Sequence, residues 1–137
     1  YTPQVVVDGR RQAPGAAAQA VQQAVDAAAA DRSPPPQIEF REIGDRVGVG
    51  SGRVPSGGAD VWAVTYTPGA QTVTVSQGDN RGQTVRHVNV VRSLRKLGAW
   101  SGRPALYALP PRATDGDAVA VLVQARDDRR ILSAAAL

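Results

Sequence analysis

The chain has 137 residues, of which 42% are hydrophobic and 20% charged; this composition excludes a disordered polymer and fits one ordinary domain or two small ones. It contains no cysteine, which excludes disulfides, thiolate metal sites and a dithiol redox centre within these residues. The single histidine, His87, excludes a zinc site built on a histidine pair, and no catalytic or cofactor-binding motif is present.

The net charge of +4 comes from basic residues that are spread along the chain. Their densest window contains Arg86, Arg92, Arg95 and Lys96. Aromatic side chains do not alternate with this window as they do in single-strand-binding proteins, so we expect a solvated surface and no nucleic-acid partner. The longest uncharged apolar runs, residues 27–30 and 118–123, are far shorter than the roughly 20 residues of a spanning helix, so we expect no transmembrane segment.

The first elements are a strand and a helix. The β-branched residues 5–7 predict a short buried strand that ends at the turn formed by Asp8 and Gly9. Residues 16–30 are rich in Ala and Gln, which predicts a helix of about four turns. Because the strand begins so close to Tyr1, we expect the chain to come from a longer or processed protein.

The connector SPPP at residues 33–36 is stiff and extended, and it predicts a boundary between one domain at residues 1–33 and a second at residues 34–137. After it the apolar period changes from 3.6 to 2, which is typical of strands. The strand and turn spacing predicts an antiparallel sandwich or barrel. We expect strands at residues 38–40, 47–49, 61–66, 73–75, 84–96, 106–109, 119–123 and 131–137.

Three details of this β region are specific enough to test. Trp62, Val64 and Tyr66 share one face of their strand, which we expect to point inward. Residues 67–70 (TPGA) predict a turn that leads into a second hairpin with the Trp62 strand. Trp100 lies between two glycines and is expected in a turn.

Several polar clusters carry weak functional signals. The glycines of residues 48–58 lack the Lys-Ser/Thr end of a phosphate-binding loop, so they indicate hairpin and loop flexibility. His87 has no nucleophile or second ligand beside it. Asp79 and Asn80 favour a turn, with a small-ligand or ion site as the alternative. Asp115 and Asp117 flank a glycine and are expected at a solvent-exposed turn tip, where acid–base chemistry is disfavoured.

Residues 1–9 (YTPQVVVDG) resemble a segment of a secreted, uncharacterised thioredoxin-like family of bacteria, the domain of unknown function 1223 (DUF1223). Weaker agreement extends in order over nearly the whole chain, at residues 59–62, 78–82, 89–92, 97–100, 120–124 and 131–132.

The resemblance implies an α+β fold: the C-terminal strand-helix part of a thioredoxin-like fold followed by an antiparallel β-sandwich-like domain. It implies that Thr2 and Pro3 form the cis-proline turn, which binds substrate opposite a Cys-x-x-Cys motif, and that the protein is periplasmic or secreted. The chain departs from this pattern because it has no dithiol. A thiol-disulfide role is therefore expected only if a Cys-x-x-Cys segment lies upstream.

A second hypothesis is a non-enzymatic protein-binding or structural β module. It would present Trp100, Tyr107 and the basic region of residues 92–103 to a protein partner, because aromatic residues and arginine are enriched in interface hot spots. Alternatively, the tryptophans pack inside the sandwich. The sequence leaves open whether the protein is an enzyme and assigns no catalytic or metal-binding residue.

Overall fold

The computed structural model describes residues 3–112 and 115–137. It begins with a hairpin–helix unit: strand β1 (Gln4–Val7), strand β2 (Arg11–Pro14) and helix α1 (Ala18–Ala30). β1 and β2 form a two-stranded antiparallel sheet, and α1 packs mainly against β2. β1 and α1 were predicted, but the expectation of a buried strand is wrong, because Val6 is exposed and Val5 and Val7 are only half-buried. β2 was missed because Arg-Gln-Ala-Pro shows no apolar alternation.

The rest of the described chain is a β body made of two antiparallel sheets. The smaller sheet has the order β3-β4-β7 and the larger has the order β6-β5-β8-β9. The fold is therefore α+β and mostly β, as the sequence predicted. The strands are β3 (Ile38–Phe40), β4 (Arg46–Val49), β5 (Ala59–Thr74), β6 (Thr84–Trp100), β7 (Ala105–Ala108), β8 (Ala118–Ala125) and β9 (Ile131–Ala136).

The smaller and the larger sheet of the β body share one hydrophobic core. Residues opposite each other in an antiparallel pair lie on the same face, and the inner faces consist mainly of valine and alanine. Trp100 enters the same core, where its indole N–H donates to the carbonyl of Gly50 at 3.1 Å. The buried cluster contains Val47, Val49, Ala59, Val61, Trp100, Val121 and Val123.

The prediction for the faces of β5 is wrong. Val61, Ala63 and Thr65 are buried, whereas the face that carries Trp62 is only half-buried. Val61 and Ala63 lie opposite Val123 and Val121 of β8, and both of these valines belong to the buried inner layer. Small β-branched side chains fill the space between the sheets, and Trp100 supplies the bulk there. Alternation along β5 could not show which of its two apolar faces points inward.

The predicted turn at residues 67–70 is also wrong. β5 continues through it, and the ladder with β6 only shifts register between Thr67 and Ala70. Gly69, with φ of +85°, absorbs the irregularity. Val73 therefore pairs with Val85 and not with the Trp62 strand. Trp100 ends β6 instead of lying in a turn. The bent strand at residues 84–96 and the final strand are confirmed, with bounds given above.

In residues 3–112 and 115–137 no helix is long and apolar enough to cross a bilayer. α1 has 13 residues, and only Ala28 of it is buried. The helix is too short to span a membrane, and it acts as a cover for one face of the β1–β2 hairpin.

Candidate functional site

The predicted site begins where the described chain begins, at Pro3. Its carbonyl accepts a hydrogen bond from the Gly15 N–H at 2.8 Å, so this carbonyl is used inside the hairpin. A Cβ on Gly15 would lie 3.0 Å from the Cβ of Pro3, which explains a glycine there. The preceding residue, Thr2, lies outside the described residues.

The hydrogen bond at Pro3 fixes which backbone groups of β1 face outward. Bonded and non-bonded pairs alternate along an antiparallel ladder. Since Pro3 and Gly15 are bonded, the pairs Gln4–Pro14 and Val6–Gln12 are non-bonded. Pro14 therefore lies where its missing N–H costs no ladder bond, and it removes a donor from the outer edge of β2. The outer edge of β1 keeps the peptide groups of Gln4 and Val6.

One face of this hairpin is open. Val5 and Val7 are half-buried on the side of α1, but Val6 is 55% exposed on the other side. A strand with three consecutive valines is typical of sheets that are covered on both faces. In the described residues β1 thus has one uncovered face and one unpaired edge, both beside Pro3.

The hairpin–helix unit is attached to the β body by backbone and ionic contacts. The Ile131 N–H donates to the carbonyl of Asp8 at 2.7 Å. Arg10 pairs with Asp128 of the β body at 2.8 Å and with Asp31, after α1, at 3.3 Å. A hydrogen bond from the Arg130 N–H, followed by the Arg10 guanidinium, lowers the pKa of Asp128. These groups hold the closed end of the β1–β2 hairpin, and none of them contacts Pro3.

A cleft of about 510 Å³ lies between the two parts. Its walls include Pro36, Val54 and Leu132, and its rim includes Arg32, Arg53 and Arg130. The Arg130 guanidinium donates to the Asp31 carbonyl at 3.3 Å, so it is partly used to cap the end of α1. The cleft contains no cluster of three metal-ligating side chains, and the described part of the chain has none elsewhere.

A second uncovered surface is the outer face of the larger sheet. At one end of it lies Asp60, 8% exposed, whose carboxylate accepts two hydrogen bonds from Arg126 at 2.8 and 3.0 Å. Lys96 adds an ion pair at 3.4 Å. The hydrogen bonds from Arg126 outweigh burial and lower the pKa of Asp60. Beyond this charged end the face is apolar.

The second hypothesis from sequence placed Trp100 and Tyr107 on a binding surface, which is wrong for Trp100. Trp100 is 2% exposed and belongs to the core. The Tyr107 hydroxyl donates to the Ala99 carbonyl at 2.6 Å, and burial raises its pKa. Arg92 bonds with Thr67 and Gln71. Trp62, expected inside, is the half-exposed tryptophan.

The remaining predicted clusters do not converge on one site. His87 is exposed on β6, and Asp79 and Asn80 lie in the turn between β5 and β6. Asp115 is exposed as expected, but the expectation for Asp117 is wrong. Asp117 is 5% exposed and accepts a hydrogen bond from the Thr67 hydroxyl at 3.1 Å. The adjacent residues 113–114 lie outside the described residues.

Residues 1–124 match the family described as protein of unknown function (DUF1223). The match covers most of the chain, and the chain therefore belongs to the DUF1223 family. This agrees with the family suggested by residues 1–9. No curated protein matches the chain.

The fold is similar to that of a protein from Agrobacterium tumefaciens whose crystal structure was determined by a structural genomics consortium. The TM-score is 0.69 at 26% sequence identity. The similarity covers 100% of this chain but 61% of that one, so the chain spans about three fifths of the length of its structural relative.

Proposed function

We propose that the chain is the closing, substrate-facing part of a thioredoxin-like thiol–disulfide protein, followed by a sandwich-like β domain. In this proposal the dithiol is supplied by a Cys-x-x-Cys segment upstream of Tyr1 in the full-length protein. The order of Pro3, antiparallel hairpin and helix supports it, because a thioredoxin-like fold closes with these elements. The resemblance of residues 1–9 supports the same assignment.

The observation that carries the proposal is the unfinished state of β1. Its outer edge offers the peptide groups of Gln4 and Val6, whereas Pro14 blunts the edge of β2. Its uncovered face carries Val6, which is 55% exposed. A two-stranded hairpin with one helix is a poor independent sheet. A further strand added beside β1 would run next to Pro3 and would also bring other elements over Val6.

The chemistry expected at such a site is thiol–disulfide exchange. A thiolate of the upstream dithiol would attack a substrate disulfide, and one substrate sulfur would leave as a thiolate. The second thiol would then displace the other substrate sulfur, so that the substrate disulfide is reduced as the dithiol is oxidised. Thr2 and Pro3 would hold the extended substrate peptide through the backbone of Thr2. Such chemistry fits an exported protein, and we propose a periplasmic or secreted location.

The experiment uses the full-length protein encoded with this chain. We expect two thiols per chain after denaturation in reductant, and reduction of a disulfide-containing peptide that decreases at least about tenfold in Pro3→Ala. Pro35→Ala is the matched control, because Pro35 is an exposed proline of the connector. A full-length protein without two thiols, or equal activity of the two variants, would contradict the proposal.

The second candidate function is a non-enzymatic protein-binding β module. The uncovered apolar face of the larger sheet favours it, since large exposed apolar patches commonly mark interaction sites. The thiol count separates the two functions, because a binding module needs no dithiol.

A further inference from the structure

The outer face of the larger sheet is apolar across all four strands. In the ladders, Trp62 of β5 lies opposite Leu122 of β8 and Lys96 of β6. The next two residues on this face of β5, Val64 and Tyr66, lie opposite apolar residues on both neighbouring strands. Opposed residues share a face. The apolar members of the outer face are Trp62, Val64, Tyr66, Val91, Leu94, Ala118, Ala120, Leu122, Ala134 and Ala136.

This face remains accessible in the structure. Val91 and Leu94 are 59% and 61% exposed, and Ala134 and Ala136 are exposed as well. The opposite face is almost completely buried in β5 and β8, with Val61, Val121 and Val123 at 0% exposure, whereas on β6 the inner-face residues Ser93 and Arg95 are exposed. Strands that are apolar on both sides are typical of sheets with a second layer on each side.

The charges of the face are confined to one end. There Asp60 pairs with Arg126 and Lys96, which leaves each copy a net charge of +1 at that end. The apolar residues beyond this end carry no charge, so a second copy would bring no uncompensated like charges together across them. The ion cluster would lie at the rim, where charged groups keep contact with water.

The side chains also divide the face into two strips of different height. The half formed by β6 and β5 carries large side chains, including Leu94, Trp62 and Tyr66. The half formed by β8 and β9 carries mainly alanines, including Ala120 and Ala136. A two-fold axis parallel to the strands places the β6 half of one sheet over the β9 half of another. High side chains then meet low ones, and the face is complementary to itself.

We propose that two copies of this chain associate through this face, forming a two-fold dimer in which the larger sheets stack. Four strands about 4.8 Å apart and seven residues of about 3.3 Å each give a planar area of roughly 440 Å². A standard interface buries about 800 Å² per partner, of which only the centre is fully apolar. The face therefore has the size expected for the centre of a standard two-fold interface. The dimer does not depend on the thiol–disulfide proposal.

Sedimentation equilibrium of the full-length protein tests the dimer. Val91→Glu is expected to weaken dimerisation at least about tenfold by burying a charge. Val88→Glu is the matched control: Val88 is 62% exposed on the same strand, beyond the pairing of β5 with β8. It is expected to leave the dissociation constant within about twofold.

A second measurement begins with the wild-type protein. Dilution of the wild-type protein should shift the emission of half-exposed Trp62 to longer wavelength, while buried Trp100 contributes a constant background. Trp62→Phe should remove the shift. The proposal would be overturned if the protein were monomeric at about 100 μM, a concentration far above the dissociation constants of ordinary specific dimers. Equal dissociation by the two glutamate variants would also overturn it. So would a monomer whose Trp62 is already shielded, since the rest of its own chain would then cover the face.

Discussion

The β body and the hairpin–helix unit are packed to very different degrees. The β body buries Val47, Val61, Val121 and Val123 completely in a core shared by two sheets. The hairpin–helix unit buries only two alanines, Ala13 and Ala28, among its described residues. Alanine burial contributes little hydrophobic free energy. The β body therefore has a core of its own, while the hairpin–helix unit depends on neighbours, and this is the basis of the proposed function.

The largest effect is expected from a substitution that removes the core of the β body. Trp100→Ala deletes a side chain that is 2% exposed and its hydrogen bond to Gly50. We expect the free energy of unfolding to decrease by about 3–5 kcal/mol. Urea denaturation measures it at a protein concentration low enough to exclude dimerisation through the Trp62 face, with Trp62→Ala as the control. If Trp62→Ala costs as much, the contrast between the inner and outer faces is wrong.

A smaller effect is expected where a loop packs against the turn between β8 and β9. A Cβ on Gly57 would overlap a carboxylate oxygen of Asp127. Because this carboxylate ends an exposed side chain that can rotate away, we expect Gly57→Ala to destabilise the protein by only about 1 kcal/mol. Adding Asp127→Ala should restore most of the loss. A double variant as unstable as Gly57→Ala would mean that the loop does not lie against Asp127.

The Asp60 cluster predicts how the stability of the β body depends on pH. Because the folded pKa of Asp60 is lowered, its contribution is complete above the unfolded value of 3.8 and is lost as the pH falls through the lower folded value. Asp60→Asn should reduce the free energy of unfolding at pH 7 by about 1–2 kcal/mol. It should also flatten the decrease of stability below about pH 4. An unchanged acid profile in Asp60→Asn would assign that decrease to other carboxylates, such as Asp128, whose pKa is also lowered.

The smallest effect on stability is expected at the exposed face of the β1–β2 hairpin. In a protein of these 137 residues, Val6→Ala should cost less than about 0.5 kcal/mol, because Val6 is 55% exposed. In the full-length protein the cost should exceed about 1 kcal/mol, as expected for a covered valine. Val73→Ala, at a 40% exposed position on β5, is the control and should cost the same in both proteins. Equal small costs for Val6 in both would show that nothing covers β1.

Much of this fold could be predicted from local sequence. Turn residues and the period of two located most strands of the β body, and the Ala-rich run located α1. The faces of β5 could not be predicted, because Val61 and Trp62 begin two equally apolar faces and only packing against the smaller sheet decides between them. Pro68 and Gly69 indicated a turn, but pairing of β5 with β6 on both sides makes them a bulge. Pro14 also disfavoured the prediction of a strand at β2, although it occupies a position in that strand that needs no N–H.

The candidate site was less accessible to sequence reasoning. The opening residues and the resemblance indicated Pro3, but the unpaired edge of β1 depends on a register that no local pattern specifies. The outer face of the larger sheet was missed because its members come from four strands. The local signal of this outer face was β8, where the neighbours Val121 and Leu122 lie on opposite faces and both are apolar.

The central claim is tested most directly by backbone amide exchange in β1 of the full-length protein. The Val5 amide lies in a bonded pair with β2, and the Val6 amide points to the outer edge. The account predicts that Val6 exchanges as slowly as Val5, because an upstream strand accepts its hydrogen bond. A Val6 amide that exchanges at least about a hundred times faster than that of Val5 would contradict it.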